Sequence, residues 1–348
     1  MEAGNQRNQT VALPSEARCP EHGGTLSVKK SGDPNPDGMV EGSCGCVFQV
    51  RSDIPRFVPQ TSYADAFGVQ WNAFRRTQLD SFTGTTISRD RLTRCLGGSL
   101  DIVRGASVLE VGCGAGRFTE ILLDAGAHVF ACDLSGAVDA NFANCGPAPD
   151  YFVCQASAVS LPVASQSFDF VIALGMIQHT PAPEDTIEAL AGAVKPGGFL
   201  VVDHYKTPNA LIGLLYLLTP RAWLRWTMVR LPTHTAFRLN EALVRALLPA
   251  HRVLWRKGPA AKAIRRVWRW ISPVFDYYDS YPELGRHLEE WALLDTHDAL
   301  TDRYKHLRTP QQVALAIQNA GLEVVESRAG GNGVEARGRR APSGRSLK

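Results

Sequence analysis

Residues 106–135 read ASVLEVGCGAGRFTEILLDAGAHVFACDLS, and this stretch decides the fold. Val108-Leu109-Glu110-Val111 is a short apolar run of the length of a buried strand. Gly112-Cys113-Gly114-Ala115-Gly116 follows as a turn, after which Phe118, Ile121 and Leu122 recur at helical spacing. A second apolar run, His128 to Cys132, ends on Asp133. Strand, turn, helix and strand form one crossover unit, which the handedness of such connections predicts to be parallel and right-handed.

The turn narrows the ligand. Glycines let the backbone take positive φ and approach a bound group closely, and an acid at the end of the second strand suits the two hydroxyls of a ribose. A dinucleotide fingerprint, G-x-G-x-x-G, needs glycine where this chain carries Arg117. The spacing G-x-G-x-G, with Glu110 two residues upstream, instead resembles the first motif of class I S-adenosylmethionine-dependent methyltransferases. That resemblance implies S-adenosyl-L-methionine as cofactor. Glu110, Gly112, Cys113, Gly114 and Gly116 would lie beside its methionine part, and Asp133, followed by Leu134, at its ribose.

The downstream sequence continues the pattern. A third apolar run, Tyr151 to Gln155, leads to Ser157-Ala158-Val159-Ser160-Leu161-Pro162, where related enzymes carry D-A-x-x-L-P and the aspartate accepts a bond from the adenine amino group. Ser157 stands in its place, and its hydroxyl can accept the same bond without charge assistance, next to Ala158. A fourth run, Ser167 to Leu174, leads into Gly175-Met176-Ile177-Gln178-His179. Ligands of open parallel sheets bind at the carboxyl ends of strands, which brings Leu174, Gln178 and His179 to the reacting centre. Lys195-Pro196-Gly197-Gly198 precedes a fifth strand, Phe199 to Asp203. A helix from Pro310 to Ala320, capped by Gly321, precedes two closing strands, Leu322 to Ser327 and Gly333 to Gly338. The expected fold is α/β: a Rossmann-like, seven-stranded, mostly parallel sheet with an antiparallel final hairpin. Its core spans 99–205 and 308–340.

Three segments flank that core. Residues 1–58 carry Cys19-Pro20-Glu21-His22-Gly23-Gly24, a turn-rich stretch near Asp33, and Cys44-Gly45-Cys46. The stretch resembles the zinc-ribbon-like leader of many bacterial methyltransferases, with His22 in place of the second cysteine and Glu41 in place of the third. Cys46 can stand in for the latter, although C-x-C is tight for a knuckle. Two readings stand: a zinc ion on Cys19, His22, Cys44 and Cys46, or a degenerate ribbon kept for packing. Residues 59–98 read as helical from Tyr63 to about Leu96. Within them Tyr63, Gln70 and Trp71 match the family's Y-x-x-x-F-G-x-Q-W leader, which implies a helix closing over the cofactor.

The third segment, 206–307, is an insertion read as a helical lid. Between 205 and 272 it has 13 Lys and Arg against Glu241 alone, a local net charge of +12, while the whole chain carries only +3. Either its arginines pair with the acidic stretch from Asp276 to Asp302, or they form a surface for an anionic or lipid-linked molecule or for RNA. No RNA-binding module is recognisable, which disfavours nucleic acid. The insertion ends on Trp291-Ala292-Leu293-Leu294-Asp295-Thr296-His297-Asp298 and then Arg303-Tyr304-Lys305-His306, a resemblance to the L-x-D-x-x-D and Y-x-H phrases of the same enzymes.

Methyl transfer requires a base only for an acceptor such as a hydroxyl; His179 is the first candidate, then His306 and Asp298. The acceptor expected is a small molecule, glycan or lipid-linked intermediate, anionic or amphipathic. An RNA methyltransferase and a non-catalytic binding member are the alternatives. No apolar run reaches the ~18 residues of a spanning helix, and MEAGNQRNQT has no apolar core of a signal peptide. The eight scattered cysteines suit reduced thiols. A cytoplasmic chain is expected, with peripheral membrane contact through the basic insertion as the variant.

Overall fold

The structure is a computed structural model describing residues 12–29, 38–59, 62–256, 261–331 and 333–343. The expected turn near Asp33 lies outside the described residues. The strands are β1 (Leu26–Lys29), β2 (Met39–Gly42), β3 (Val47–Arg51), β4 (Ile54–Arg56), β5 (Ser107–Val111), β6 (His128–Asp133), β7 (Tyr151–Gln155), β8 (Phe168–Ala173), β9 (Val194–His204), β10 (Glu323–Gly330) and β11 (Gly333–Arg339). They form one sheet in the order β1-β2-β3-β4-β7-β6-β5-β8-β9-β11-β10. From β7 to β9 all neighbours run parallel, and β11 and β10 close the far edge antiparallel. The seven strands β5 to β11 are the expected mostly parallel sheet with an antiparallel final hairpin.

The leader adds four strands to that sheet and does not stand apart as a separate ribbon. β1 to β4 are antiparallel, and β4 then pairs parallel with β7 at Arg56 and Gln155. Phe57 N donates to the Gln155 carbonyl at 2.8 Å, and the buried Arg56 pairs with Asp139.

Alternation along the parallel strands sorts side chains onto two faces. Val108 and Val129 pack on one face with Leu92, Leu96, Ile121 and Leu122. Leu109, Phe130 and Cys132 pack on the other with Leu190, Val313 and Ile317. At the β5 turn, Gly112 has φ +73° and a Cβ there would fall 2.6 Å from Met176; Gly116 has φ +98° and would meet the Cys145 sulfur at 2.7 Å. Glycine is therefore required at both.

The helices are α1 (Asp65–Ala73), α2 (Asp80–Thr83), α3 (Ile87–Leu96), α4 (Thr119–Asp124), α5 (Ala137–Cys145) and α6 (Pro183–Gly192). The insertion holds α7 (Ala210–Leu217), α8 (Pro220–Met228), α9 (Thr233–Arg256), α10 (Lys262–Ile271) and α11 (Leu288–Thr301), and α12 (Pro310–Asn319) returns to the core. The segment read as helical from Tyr63 to about Leu96 holds three helices, α1 to α3. Gly84 at φ +70° ends α2, and Asp80 caps the start of α3 by accepting from Ser88 N and Arg89 N at 3.0 and 2.8 Å. Among the described residues no helix is long and apolar enough to cross a membrane.

Candidate active site

A cavity of about 630 Å³ opens at the carboxyl ends of β5, β6 and β8, where the strand order reverses. Its floor is the β5 turn and its roof is α1 with α11. Of the residues singled out in the sequence, Tyr63, Gln70, Trp71, Gly112, Cys113, Gly114, Asp133, Leu134, Ala158, Leu174, His179 and Asp298 line it.

The floor is organised by Asp133. Its Oδ2 accepts from Gly114 N at 3.0 Å, and its Oδ1 accepts from Ser135 N and Oγ at 2.8 and 2.7 Å. A carboxylate offers about four acceptor sites, so these three bonds leave room for one ligand hydroxyl. Burial raises the Asp133 pKa, opposed by the Ser135 and Gly114 donors. Trp71 covers Gly114, whose Cβ would lie 3.3 Å from the indole. Gln70 is buried with its Oε1 unpartnered among the described residues. A free carboxylate site, an open backbone turn and an orphaned amide oxygen in one cavity fit the polar groups of an adenosyl amino acid.

Five singled-out residues do not line the cavity. Glu110 lies beneath the turn, accepting from Thr119 Oγ1 at 2.6 Å, and burial raises its carboxyl to about 8. Gly116 packs against α5. Ser157 turns back into its own loop, accepting from Val159 N at 3.4 Å and bridging to Ser160. Gln178 is fully buried behind the wall with both amide atoms unpartnered among the described residues. His306 stacks on Tyr304, and its backbone N–H donates to the Gln178 carbonyl at 2.9 Å.

His179 stands on the wall of the cavity. Its ring stands between Phe67 and Tyr205, with centroids at 5.3 and 5.4 Å. Nδ1 lies 3.2 Å from the Tyr304 carbonyl and 3.5 Å from Asp302 Oδ2; Nε2 lies 3.8 Å from Asp298 Oδ1. Burial opposes the charged ring, but Asp298 and Asp302 outweigh it, and the His179 pKa is raised. Asp302 is itself held ionised by His179, Lys305 and Arg225, which overcome its burial.

Residues to which the sequence assigned no role in the site complete the cavity. Phe275, Tyr277, Tyr281 and Trp291 form an aromatic side, and Arg117 enters from the N-terminus of α4. Arg117 donates to Ser88 Oγ and Gln78 Oε1, both at 2.8 Å, and makes no ion pair among the described residues. Burial lowers its pKa to about 10. The signal for α11 was present: Trp291, Asp295, Asp298 and Asp302 recur at helical spacing and face one side.

In the leader, the ligand atoms of Cys19, His22, Cys44 and Cys46 all lie within 4.8 Å of one another. The turn from Gly42 to Cys46, closed by Gly42 N to the Cys46 carbonyl at 2.8 Å, brings both C-x-C thiols to one side. A Cβ at Gly42 would lie 2.9 Å from the Cys44 sulfur. Glu41 is instead paired with Lys29 at 3.1 Å. The set offers the three thiolates and one imidazole that a tetrahedral zinc ion takes.

Residues 109–202 match the family described as a methyltransferase domain. The ubiquinone biosynthesis O-methyltransferase of Aromatoleum aromaticum is 37% identical over 98 residues, covering 27% of this chain and 42% of that protein. The enzyme of the same name from Ralstonia nicotianae is 38% identical over 123 residues, covering 33% and 51%. The chain thus spans about half the length of the relatives it matches. Among solved structures, magnesium protoporphyrin IX methyltransferase of Synechocystis is 12% identical with a TM-score of 0.42, covering 80% of this chain and 97% of that one. Over residues 109–202 the chain is thus similar to the methyltransferase domain family, and its glycine turn and the acid that ends β6 lie within that matched stretch.

Proposed function

We propose that the protein methylates an oxygen of a small, anionic or amphipathic acceptor held between His179 and the aromatic side of the cavity. Bound in the cavity, S-adenosylmethionine supplies an electrophilic methyl group on a good leaving group. Asp133 and the β5 turn hold the nucleoside end, with Gly112 and Gly114 allowing close approach of the backbone. Trp71 and Gln70 cover it from α1, and the covering helices exclude water. His179 can take the acceptor proton at Nε2, and Asp298 offsets the charge that then develops on the ring. Positioning supplies most of the acceleration, because the acceptor and the methyl group meet inside one enclosure.

One observation carries the choice of acceptor. Arg117 is a recessed cation on the cavity wall whose hydrogen bonds among the described residues go to neutral oxygens, beside Trp291 at 5.7 Å from the ring. A carboxylate or phosphate on an aromatic or amphipathic molecule would meet both its charge and the apolar side. The names of the relatives, O-methyltransferases of ubiquinone biosynthesis, are consistent with transfer to an oxygen. The test is to incubate the full chain with methyl-labelled S-adenosylmethionine and a panel of hydroxylated aromatic acids and their uncharged analogues. O-methyl ethers formed preferentially from the acids support the proposal. Label transferred to RNA, or only to the uncharged analogues, contradicts it.

A further inference from the structure

The insertion leaves one end of its apolar surface uncovered. α7 reads ALIGLLYL, and none of its residues is buried. Leu211, Leu214 and Leu218 are 66%, 62% and 73% exposed. A helix apolar all round normally lies inside a core or against another medium. The next helix, α8, exposes Trp223 and Trp226 at 68% and 60%, and α10 exposes Ile264, Val267, Trp270 and Ile271. The α8 and α10 surfaces adjoin. Arg221 Nη2 donates to the Ser272 carbonyl just beyond α10 at 3.1 Å, and its guanidinium lies 4.1 Å above the Phe275 ring. Apolar surface in this concentration marks an interaction site rather than a solvated face.

The charge around it selects the partner. Arg225 is committed to Asp302, and Arg269 to Asp276 and Asp279. Arg238, Arg252 and Arg266 are exposed and make no ion pair among the described residues. Arg230 is exposed and lies 4.1 Å over the Trp226 ring. Leucines, indoles and free arginines together match the layers of an anionic bilayer surface: acyl boundary, headgroup level and phosphate. A second copy docked on the same face would set one +12 segment against another, which like-charge repulsion disfavours.

We infer that α7, α8 and α10 dock the protein onto an anionic membrane surface. The docking stands independently of the proposed reaction. Its link to catalysis, that Phe275 and Tyr277 of the cavity wall directly follow α10, rests on that reaction.

The test is co-sedimentation of the full chain with phosphatidylcholine vesicles, with and without phosphatidylglycerol. Binding is expected only with phosphatidylglycerol and is expected to fall as salt rises. The double variant Leu214→Glu/Leu218→Glu should lose more than about tenfold of that partitioning. Arg230→Gln and Arg266→Gln should each lose about fivefold. Titration with S-adenosylmethionine should be unchanged in all three variants, which separates a failed membrane site from a failed cofactor pocket. No sedimentation with phosphatidylglycerol overturns the inference. So does equal binding to pure phosphatidylcholine, or a dimer in free solution that the leucine substitutions dissociate.

Discussion

His179 Nε2 lies 3.8 Å from Asp298 Oδ1 across the edge of the cavity, too far for a direct hydrogen bond and near enough for the carboxylate to hold a charged ring. Asp302 lies 3.5 Å from Nδ1, so each ring nitrogen has a carboxylate near it. The same two acids that would stabilise the ring after it accepts a proton also raise its resting pKa.

A pH profile follows from that shift. A base must start deprotonated, so turnover should rise with pH through a pKa above the ordinary 6.5 of histidine. Asp298→Asn should move this limb to lower pH, and His179→Ala should abolish it with a loss of about a hundredfold or more in kcat. Initial rates from pH 5 to 9 check this. A His179→Ala enzyme with the parent profile assigns the limb to another group.

Arg117 should act on the acceptor and not on the cofactor. Arg117→Met keeps the side chain's bulk against Trp291 and removes the charge. The acceptor KM should rise by about tenfold to a hundredfold, the worth of a charge-assisted bond, while the dissociation constant for S-adenosylmethionine stays the same. An equal loss in cofactor affinity would place the cation at the methionine carboxylate instead.

Glu110 makes a stability prediction of definite sign. Its folded pKa of about 8 exceeds the ordinary 4.5, so between those values the folded chain binds a proton that the unfolded chain has lost. Its contribution to stability therefore falls as pH rises through that window. Glu110→Gln, which cannot ionise, should flatten the decline in melting temperature between pH 5 and 9. A steeper decline in the variant would mean that the carboxyl is ionised in the fold.

The leader tests separately. If Cys19, His22, Cys44 and Cys46 hold zinc, the purified chain should contain one zinc ion, and a chelator should lower the melting temperature. Cys44→Ser should do the same without chelator. Metal analysis showing no zinc, with chelator-independent melting, would leave the ribbon held by packing alone.

The parallel core was legible because buried strands read as apolar runs and one crossover unit restricts the rest. Asp133 and the glycine turn were legible because ligand chemistry there is concentrated in adjacent residues. The leader's union with the sheet was not, since it depends on Arg56 meeting Asp139 and Gln155 from far away in the chain. Arg117 appeared in the sequence only as a missing glycine. Its meaning comes from Gln78 and Ser88, which the broken helical segment brings beside it. Ser157 shows the reverse case: it occupies the expected position, but its hydroxyl engages its own loop and not the cavity.

The nucleoside pocket is the claim on which the account depends, and calorimetric titration of the full chain with S-adenosylmethionine tests it most directly. A saturable heat at one site is predicted, weakened about tenfold to a hundredfold by Asp133→Ala, with no heat from NADH. No heat with S-adenosylmethionine, or an Asp133→Ala chain that titrates like the parent, would contradict it.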